Sequence, residues 1–294
     1  MSDWLAIVNP HSGGSGAYAR LRHLVENLRW VAQKTVFTEY PGHAAELARG
    51  ATAYSGLAVV GGDGTLFEIL KGLNRTSQRV AIIPAGRGNS LARDLGLLRP
   101  LPNLDVINSS DPLYIDLLEV TFEDAHGLER QNLSASTIAL GYPAAVARAA
   151  RRFHCLGQFC YAAAAVTVRP VSRIVEISCD NGPARKKHLK GVIANNTRFV
   201  ANFLAFPNAS CCDGYFDLME LNAGYAGQNV HNLSALTGTN FCGPFDLIRA
   251  RRARLQLLEP QELMIDGEFY PDVVSIDIRI LPGALACNRR DAAR

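Results

Sequence analysis

Two glycine-rich loops, each directly after a short apolar segment, constrain the fold of this chain more than any other feature. Residues 57–60 run into Gly61-Gly62-Asp63-Gly64-Thr65, and residues 80–83 run into Pro84-Ala85-Gly86-Arg87-Gly88-Asn89-Ser90. A segment with helical spacing follows each loop. Strand, small-residue loop and helix in this order are typical of an open parallel sheet, which binds phosphates at the carboxyl ends of its strands against helix N-termini.

Asp63 is an unusual residue for a phosphate loop, because a carboxylate repels an anion. It is explained if Mg²⁺ lies between Asp63 and the phosphates. Thr65 can donate a hydrogen bond to a phosphate oxygen or cap the following helix. Asn89 can contact a ribose or a base edge, or can cap the next helix.

The first 115 residues alternate between strand-like and helix-like segments. Residues 5–8, 35–37, 57–60 and 80–83 are apolar, and residues 17–28 and 43–54 have helical periodicity. The first strand leads into a small-residue loop that contains Asn9, Ser12 and Gly13. This loop is either a close approach to a phosphate or a tight turn. We predict an α/β domain over residues 1–115 with a parallel sheet covered on both faces.

Residues 116–294 alternate differently. Segments such as 174–178, 217–221 and 273–281 have the period of two that strands show, and turn residues separate them. We predict an all-β, antiparallel sandwich domain, interrupted by one helical stretch over residues 143–161. The arginines of that stretch either form a solvated helix face or meet anionic lipid headgroups; they are Arg148, Arg151 and Arg152.

Composition excludes several classes of function. The charge is nearly balanced, with 30 basic and 27 acidic residues, so the concentrated basic footprint of a nucleic-acid-binding protein is missing. The seven cysteines show no Cys-x-x-Cys spacing, and we expect free thiols in a reducing cytosol. No apolar run reaches the length of a membrane span, so we expect a cytoplasmic protein whose membrane contact is peripheral. A homodimer is left open.

Together these motifs resemble the diacylglycerol kinase catalytic-domain family, which includes bacterial diacylglycerol and other lipid kinases and sphingosine and ceramide kinases. On spacing alone, Asp213-Gly214 and Asp266-Gly267-Glu268 are typical of hairpin turns. Their order after the three loops is that of the family, and the resemblance extends to the closing Leu281-Pro282-Gly283.

The resemblance implies ATP and Mg²⁺ in a cleft between the two domains and a lipid hydroxyl as phosphate acceptor at a membrane surface. It implies that Asp266 is the general base with Glu268 close by, and that Asp213 belongs to a metal-linked acidic network that complements Asp63. It implies that Asp63 and the glycines around it serve the nucleotide phosphates. With the candidates that the loops themselves offer, and with Thr38 as a weaker one, the nucleotide contacts that we predict are Asn9, Ser12, Gly13, Thr38, Gly61, Gly62, Asp63, Gly64, Thr65, Gly86, Arg87, Gly88 and Asn89.

Three residues depart from the family pattern. Arg87 stands where many relatives have a small hydroxyl residue, and Ser90 stands where they have Asp. A non-acidic residue at the latter position resembles sphingoid-base kinases, so the acceptor is either diacylglycerol, a related lipid or a sphingoid base. Cys212 stands where some bacterial relatives have a further Asp, so the acidic network has one carboxylate fewer. We expect an apolar acceptor pocket with residues such as Phe199, Phe203 and Phe206.

Two other functions remain open. A NAD kinase-like enzyme shares the Gly-Gly-Asp-Gly-Thr loop and would phosphorylate a water-soluble acceptor. A non-catalytic nucleotide- or lipid-binding module would bind without transfer, although the presence of both Asp63 and Asp266 argues against it.

Overall fold

The structure is a computed structural model that describes residues 3–13, 17–28, 31–98, 104–108, 111–153, 160–200, 203–222 and 246–288. The chain divides into two compact units. The first comprises Met1–Ile115 and Gly283–Arg294, and the second comprises Asp116–Pro282. The sequence also predicts a turn at Gly243-Pro244, which lies outside the described residues.

The first unit contains a parallel sheet with helices between its strands. Its strands are β1 (Trp4–Val8), β2 (Lys34–Phe37), β3 (Gly56–Gly61) and β4 (Arg79–Pro84), in the spatial order β2-β1-β3-β4. Strands β1 and β3 are buried along their whole length, as expected for strands covered on both faces. The α/β fold predicted for this part of the chain is confirmed.

The helices of this unit follow the apolar periodicity of the sequence. They are α1 (Ala17–Leu28), α2 (His43–Gly50), α3 (Asp63–Leu70), α4 (Ser90–Asp94) and α5 (Asp105–Asn108). Helix α2 buries Ala44, Ala45 and Ala48. It ends at Gly50, four residues before the predicted end at residue 54, because the backbone turns out of helical geometry at Ala51.

The second unit is built from antiparallel strands, as predicted. Its strands include β5 (Pro112–Asp124), β6 (Glu129–Ser134), β7 (Thr137–Gly141), β8 (Arg173–Cys179), β9 (Arg185–Leu189), β10 (Gly191–Asn195), β11 (Phe199–Val200), β12 (Phe203–Leu204), β13 (Phe216–Leu221), β14 (Asp246–Ala250), β15 (Arg252–Ile265) and β16 (Glu268–Asn288). Strand β7 lies between β10 and β15, and β15 also pairs with β8 and β16.

The end of β16 returns to the first unit. Cys287 and Asn288 pair in parallel with Val80 and Ala81 of β4, and Asn288 donates hydrogen bonds to the carbonyl oxygens of residues 106 and 107. The domain prediction placed residues 116–294 in one domain, whereas the segment from Gly283 groups with the first 115 residues.

The helical stretch predicted over residues 143–161 corresponds to two helices, α6 (Tyr142–Ala150) and α7 (Cys160–Thr167). Between them residues 154–159 lie outside the described part. The two helices pack on each other through Tyr142, Val146 and Ala164, and the Tyr142 hydroxyl donates to the carbonyl of Ala165 at 2.9 Å. The predicted stretch covers all but the first residue of α6 and only the first two residues of α7.

Candidate active site

The predicted nucleotide loops of the first unit meet at one edge of its parallel sheet. The register pairs Val8 with Phe37 and Val60, and Gly61 with Pro84. Because all four strands run in the same direction, the residues that follow them emerge together at their carboxyl ends. The residues gathered there are Asn9, Ser12 and Gly13 after β1, Thr38 after β2, Gly62 to Thr65 after β3 and Gly86 to Asn89 after β4.

The loop after β1 is attached to the start of α3. The Asn9 side-chain amide donates to the Thr65 hydroxyl at 2.9 Å, and the Asn9 backbone amide donates to the carbonyl of Val60. A hydroxyl that accepts a hydrogen bond keeps its own proton to donate. Thr65 therefore retains a donor for a phosphate oxygen. Ser12 is 9% exposed, and residues 14–16 lie outside the described part.

The loops after β3 and β4 approach each other backbone to backbone. The amide of Ala85 donates to the carbonyl of Gly61 at 2.8 Å. A Cβ atom on Gly86 would lie 2.5 Å from the Cα of Gly62, and one on Gly61 would lie 2.5 Å from the Thr65 side chain. Gly86 requires glycine because a side chain there would push the two loops apart, and Gly61 requires it because a side chain there would displace Thr65 at the start of α3.

Asn89 closes its own loop. Its side chain accepts a hydrogen bond from the Gly86 amide at 3.0 Å and donates to the Gly86 carbonyl at 2.7 Å, and its backbone is left-handed, with φ of 51°. The Asn89 side chain does not cap α4. Of the two expectations for Asn89, the helix cap is absent, and the side-chain amide closes the loop; the nucleotide contact stays a prediction.

Asp63 lies at the N-terminus of α4. Its Oδ2 accepts a hydrogen bond from the Ser90 amide at 3.2 Å. Burial raises the pKa of Asp63, although the amides of residues 89–91 and the charge of Arg93 oppose that rise. A nearby cation would favour the ionised form of this buried carboxyl group.

The residues of this edge fit a magnesium–nucleotide complex. In the described part of the chain, no group of three or more His, Cys, Asp or Glu residues could hold a metal by itself. Mg²⁺ in kinases is held by one or two carboxylates together with the substrate phosphates, so one carboxylate beside these loops is sufficient on the protein side. Asp63, half-buried at this edge, is the candidate.

Two further candidates at this edge differ in their surroundings. Arg87 is exposed and makes no hydrogen bond or ion pair with other described residues, so its charge is available to a ligand. Thr38 is buried, and its backbone amide donates to the carbonyl of Val8 at 2.9 Å.

In the second unit, Asp266 is held by backbone amides on both carboxylate oxygens. Oδ2 accepts from the Ala135 amide at 2.8 Å and Oδ1 accepts from the Thr137 amide at 2.7 Å. The Asp266 amide in turn donates to the Thr137 carbonyl at 2.9 Å. These hydrogen bonds fix the orientation of the Asp266 carboxylate.

Glu268 lies two residues further and is engaged by Tyr270. The Tyr270 hydroxyl donates to Glu268 Oε2 at 2.9 Å and accepts from the Asn132 side chain at 3.2 Å. Burial and the neighbouring Glu268 charge raise the pKa of Tyr270, which therefore remains a hydrogen-bond donor at neutral pH.

Asp213, the second predicted metal ligand, forms an ion pair with Arg249. Its Oδ1 also accepts from the Tyr215 amide at 3.0 Å, as is typical of an Asx turn. The neighbouring Cys212 is exposed. The metal role of Asp213 stays a prediction, and a metal ion would have to compete with the Arg249 guanidinium.

Sequence reasoning missed a buried polar cluster next to Asp266. The Thr137 hydroxyl donates to the Asn195 side chain at 2.5 Å. Asn196 donates to the carbonyl of Asp116 at 2.8 Å, and Asp116 accepts from the Gly214 amide at 2.7 Å. The available signal was Asp116 itself, a charged residue inside the apolar run 114–118, which is 2% exposed.

The expected acceptor-pocket residues have different environments. Phe206 is 1% exposed and packs against Met219 and Leu221, so it is a core residue. Phe199 is half-buried, and the side chain of Phe203 lies outside the described part.

Comparison with known proteins supports the family resemblance. Residues 3–120 match the family model described as diacylglycerol kinase catalytic domain. The matched residues contain all three loops at the sheet edge and Asp116. This match confirms that the chain resembles the diacylglycerol kinase catalytic-domain family, whose members are kinases.

Two named relatives are similar over part of the chain. The first is a diacylglycerol kinase of Mycobacterium tuberculosis, 32% identical over 134 residues, which are 42% of this chain and 42% of the relative. The second is human sphingosine kinase 2, 29% identical over 175 residues, which are 52% of this chain and 26% of the relative. The chain thus spans less than half the length of either relative.

Solved structures share the fold over nearly the whole chain. A diacylglycerol kinase from Bacillus anthracis has a TM-score of 0.77 and 21% identity, covering 98% of this chain and 97% of that one. Yeast NADH kinase in complex with NADH has a TM-score of 0.57 and 12% identity, covering 98% and 84%. At these identities the similarity shows the fold alone. Among the described residues, no helix is long and apolar enough to cross a membrane.

Proposed function

We propose that this protein is an ATP- and Mg²⁺-dependent lipid kinase that transfers the γ-phosphate of ATP to a hydroxyl of a membrane lipid. The observation that carries the proposal is the set of three loops at one sheet edge, within the residues that match the diacylglycerol kinase catalytic domain. The lipid is diacylglycerol, a related lipid or a sphingoid base.

The nucleotide phosphates would lie against the loops of the first unit. Thr65 and Ser12 would donate hydroxyl hydrogen bonds, and the exposed Arg87 would add a positive charge. Asp63 would hold Mg²⁺, which neutralises phosphate charge when it is bound. Phosphoryl transfer needs mainly positioning and charge neutralisation, and this edge offers both.

Asp266 would act as the general base. The lipid hydroxyl oxygen forms a bond to the γ-phosphorus, the bond from that phosphorus to the β–γ bridging oxygen breaks, and ADP leaves. The hydroxyl proton passes to Asp266, whose orientation is set by the amides of Ala135 and Thr137. A positioned base commonly contributes about 10²–10⁴-fold to the rate. Glu268, held by Tyr270, would orient the acceptor.

The working site of such an enzyme is a membrane surface that faces a pool of ATP, which is the basis for proposing a cytoplasmic, peripherally bound protein. Arg148 and Arg152 belong to the helical hairpin for which a solvated face and a headgroup contact were both open. Arg148 pairs with Glu262 at 3.1 Å and Arg152 is exposed, so we propose the solvated face for both residues.

The test is transfer of radiolabelled γ-phosphate from ATP to mixed micelles that contain diacylglycerol, sphingosine, ceramide or phosphatidylglycerol, with NAD as soluble acceptor. We expect label in one lipid class, and loss of that label when EDTA removes Mg²⁺. Label in NADP alone would replace the proposal by a NAD kinase-like function. ATP binding without transfer to any acceptor would favour a non-catalytic module.

A further inference from the structure

Arg151 connects the helical hairpin of the second unit to the turn that carries Asp266. It follows the last residue of α6, and its Nη2 donates a hydrogen bond to the carbonyl of Gly267 at 2.6 Å, across 116 residues of sequence. A charged donor makes a stronger hydrogen bond than a neutral one. The middle residue of the Asp266-Gly267-Glu268 motif is therefore tied to α6.

A second contact places the same side chain beside the end of the motif. The guanidinium carbon of Arg151 lies 4.6 Å from the ring centroid of Phe269, a distance at which a cation is attracted to an aromatic face. Phe269 directly follows Glu268. Arg151 thus contacts the chain on both sides of Glu268, through a carbonyl before it and a ring after it.

The neighbouring arginines do not share this arrangement. Arg148 is engaged by Glu262 at 3.1 Å. Burial raises the pKa of Glu262, and the charges of Arg148 and Arg151 oppose that rise. Arg152 is exposed and makes no hydrogen bond or ion pair with other described residues. Adjacent arginines of one helix end therefore have different roles.

The turn is a two-residue hairpin loop between β15 and β16. Asp266 has φ of 45° and Gly267 has φ of 94°, the positive φ values that an Asp-Gly hairpin turn adopts. The Asp266 carboxylate is fixed by the amides of Ala135 and Thr137. Arg151 supplies a further, separate restraint on the same turn.

We propose that Arg151 is a positioning residue for the Asp266-Gly267-Glu268 turn, acting on turnover and not on nucleotide binding. The inference rests on the proposed kinase function for its catalytic consequence. Its structural consequence, an ordered turn, is independent of that function. Small misplacements of catalytic groups are costly, since a shift of about 1 Å can lower a rate by about 100-fold.

The kinetic test compares Arg151→Gln, Arg151→Lys and the matched control Arg152→Gln. We expect Arg151→Gln to lower kcat by about 10- to 100-fold with the KM for ATP little changed. Arg151→Lys should recover part of kcat, because an ammonium can still donate to a carbonyl and lie over a ring. Arg152→Gln should stay within about twofold of the unchanged protein. Equal kcat values for the two Gln variants would overturn the proposal.

Amide hydrogen exchange provides a readout that does not depend on activity. The Asp266 amide donates to Thr137 and the Thr137 amide donates to Asp266, so both are protected while the turn is ordered. Arg151→Gln should speed their exchange, and Arg152→Gln should not. Phe269→Leu, which removes the ring, should give a smaller increase in the same peptides.

The two proposals fail differently. If the unchanged protein labels no acceptor, the kinase function fails, and hydrogen exchange still decides the role of Arg151. If the unchanged protein is active, a loss of ATP affinity in Arg151→Gln in parallel with kcat would indicate general destabilisation and overturn the positioning role. Unchanged exchange at residues 135–137 and 266–268 would overturn it as well.

Discussion

The carboxylate of Asp63 accepts a hydrogen bond from the backbone amide of Ser90, 27 residues further along the chain, at 3.2 Å. Asp63 is itself the first residue of α3, so one side chain joins the helix that it begins to the N-terminus of α4. An acidic group at a helix N-terminus is favoured by the exposed amides and the helix dipole. The loops after β3 and β4 are thereby held in one arrangement.

The pKa of Asp63 predicts how stability changes with pH. Because burial raises that pKa above its ordinary 3.8, the folded protein binds the Asp63 proton more tightly than the unfolded chain does. The contribution of Asp63 to the free energy of unfolding is then fully present below pH 3.8 and is lost as the pH rises through the raised value. We expect Asp63→Asn, which does not titrate, to become more stable relative to the unchanged protein between pH 4 and 7, as measured by urea unfolding. A relative stability that declines over this range would contradict the assignment.

Asp277 provides a control of the opposite sign. Arg252 and Arg254 lower its pKa, so its contribution is present above the ordinary pKa and is lost as the pH falls through the lowered one. We expect Asp277→Asn to be less stable than the unchanged protein at pH 7, with a deficit that shrinks in acid. Because the ion pairs are partly exposed, added salt should also reduce the deficit. A deficit that is independent of pH and salt would indicate that charge is not its source.

The close approach of two loops predicts the effect of a single methyl group. Gly86→Ala would place a Cβ atom 2.5 Å from the Cα of Gly62 and 2.7 Å from the Asn89 side chain. Because the backbone at Gly62 cannot move without a large energetic cost, we expect a lower melting temperature. The shifted loop would also displace the donors for the phosphates, so we expect at least about tenfold weaker ATP binding, measured by calorimetry. Gly50→Ala is the matched control, because a Cβ there meets nothing within 4 Å. Similar ATP affinities for the two variants would show that the loop contact is unimportant for binding.

The hydrogen bond from Asn9 to Thr65 predicts that the hydroxyl at position 65 matters more than its shape. Thr65→Val keeps the volume and removes the acceptor of the half-buried Asn9 side-chain amide. A donor left without a partner costs about 1–3 kcal/mol when it is buried, and less when water can reach it. Thr65→Ser keeps the hydroxyl. We expect Thr65→Val to lower both the melting temperature and ATP affinity, whereas Thr65→Ser should lose little affinity. Equal affinities would remove Thr65 from the phosphate-binding set.

The hydrogen bond between the buried Thr137 and Asn195 side chains can be removed by a substitution that keeps the backbone in place. Thr137→Val removes the hydroxyl that donates to Asn195 but keeps the backbone amide that binds Asp266. We expect a loss of about 1–3 kcal/mol in the free energy of unfolding, with kcat reduced much less than by Asp266→Asn. Thr121→Val, at a half-buried position of β5, is the control and should be close to neutral. A collapse of kcat in a stable Thr137→Val protein would assign the hydroxyl a direct catalytic role.

Asp266→Asn is expected to remove most turnover while ATP binding is retained. The carboxamide has one oxygen, so its NH₂ group would face one of the amides of Ala135 and Thr137 and stability should fall as well. Asp272→Asn is the matched control, since Asp272 is exposed and also has a positive φ, of 56°. Calorimetry for ATP and the lipid assay measure the two effects. Near-normal turnover in Asp266→Asn would rule out the base assignment.

The local sequence pattern predicted helices and strands correctly where their conformation depends on their own residues. Apolar runs located β1 to β4 to within a residue or so, and turn residues located the antiparallel region. The pattern failed where the conformation of a segment depends on pairing with another strand. Strand β6 was not predicted, because residues 129–134 are mostly polar and gain their strand conformation by pairing with β5.

The sequence by itself determined the class of fold and the loops at its sheet edge, because strand and helix periodicity and glycine at sharp turns are local properties. The tertiary structure decided which groups those loops hold. Asp63 reaches Ser90, Asn9 reaches Thr65 and Asp266 reaches Thr137, over 27, 56 and 129 residues. Such partners depend on strand register and packing between distant segments, which no local spacing specifies. For that reason the Asn89 side chain, for which a cap of α4 was one expectation, closes its own loop, and the distant Asp63 carboxylate lies at the helix end instead.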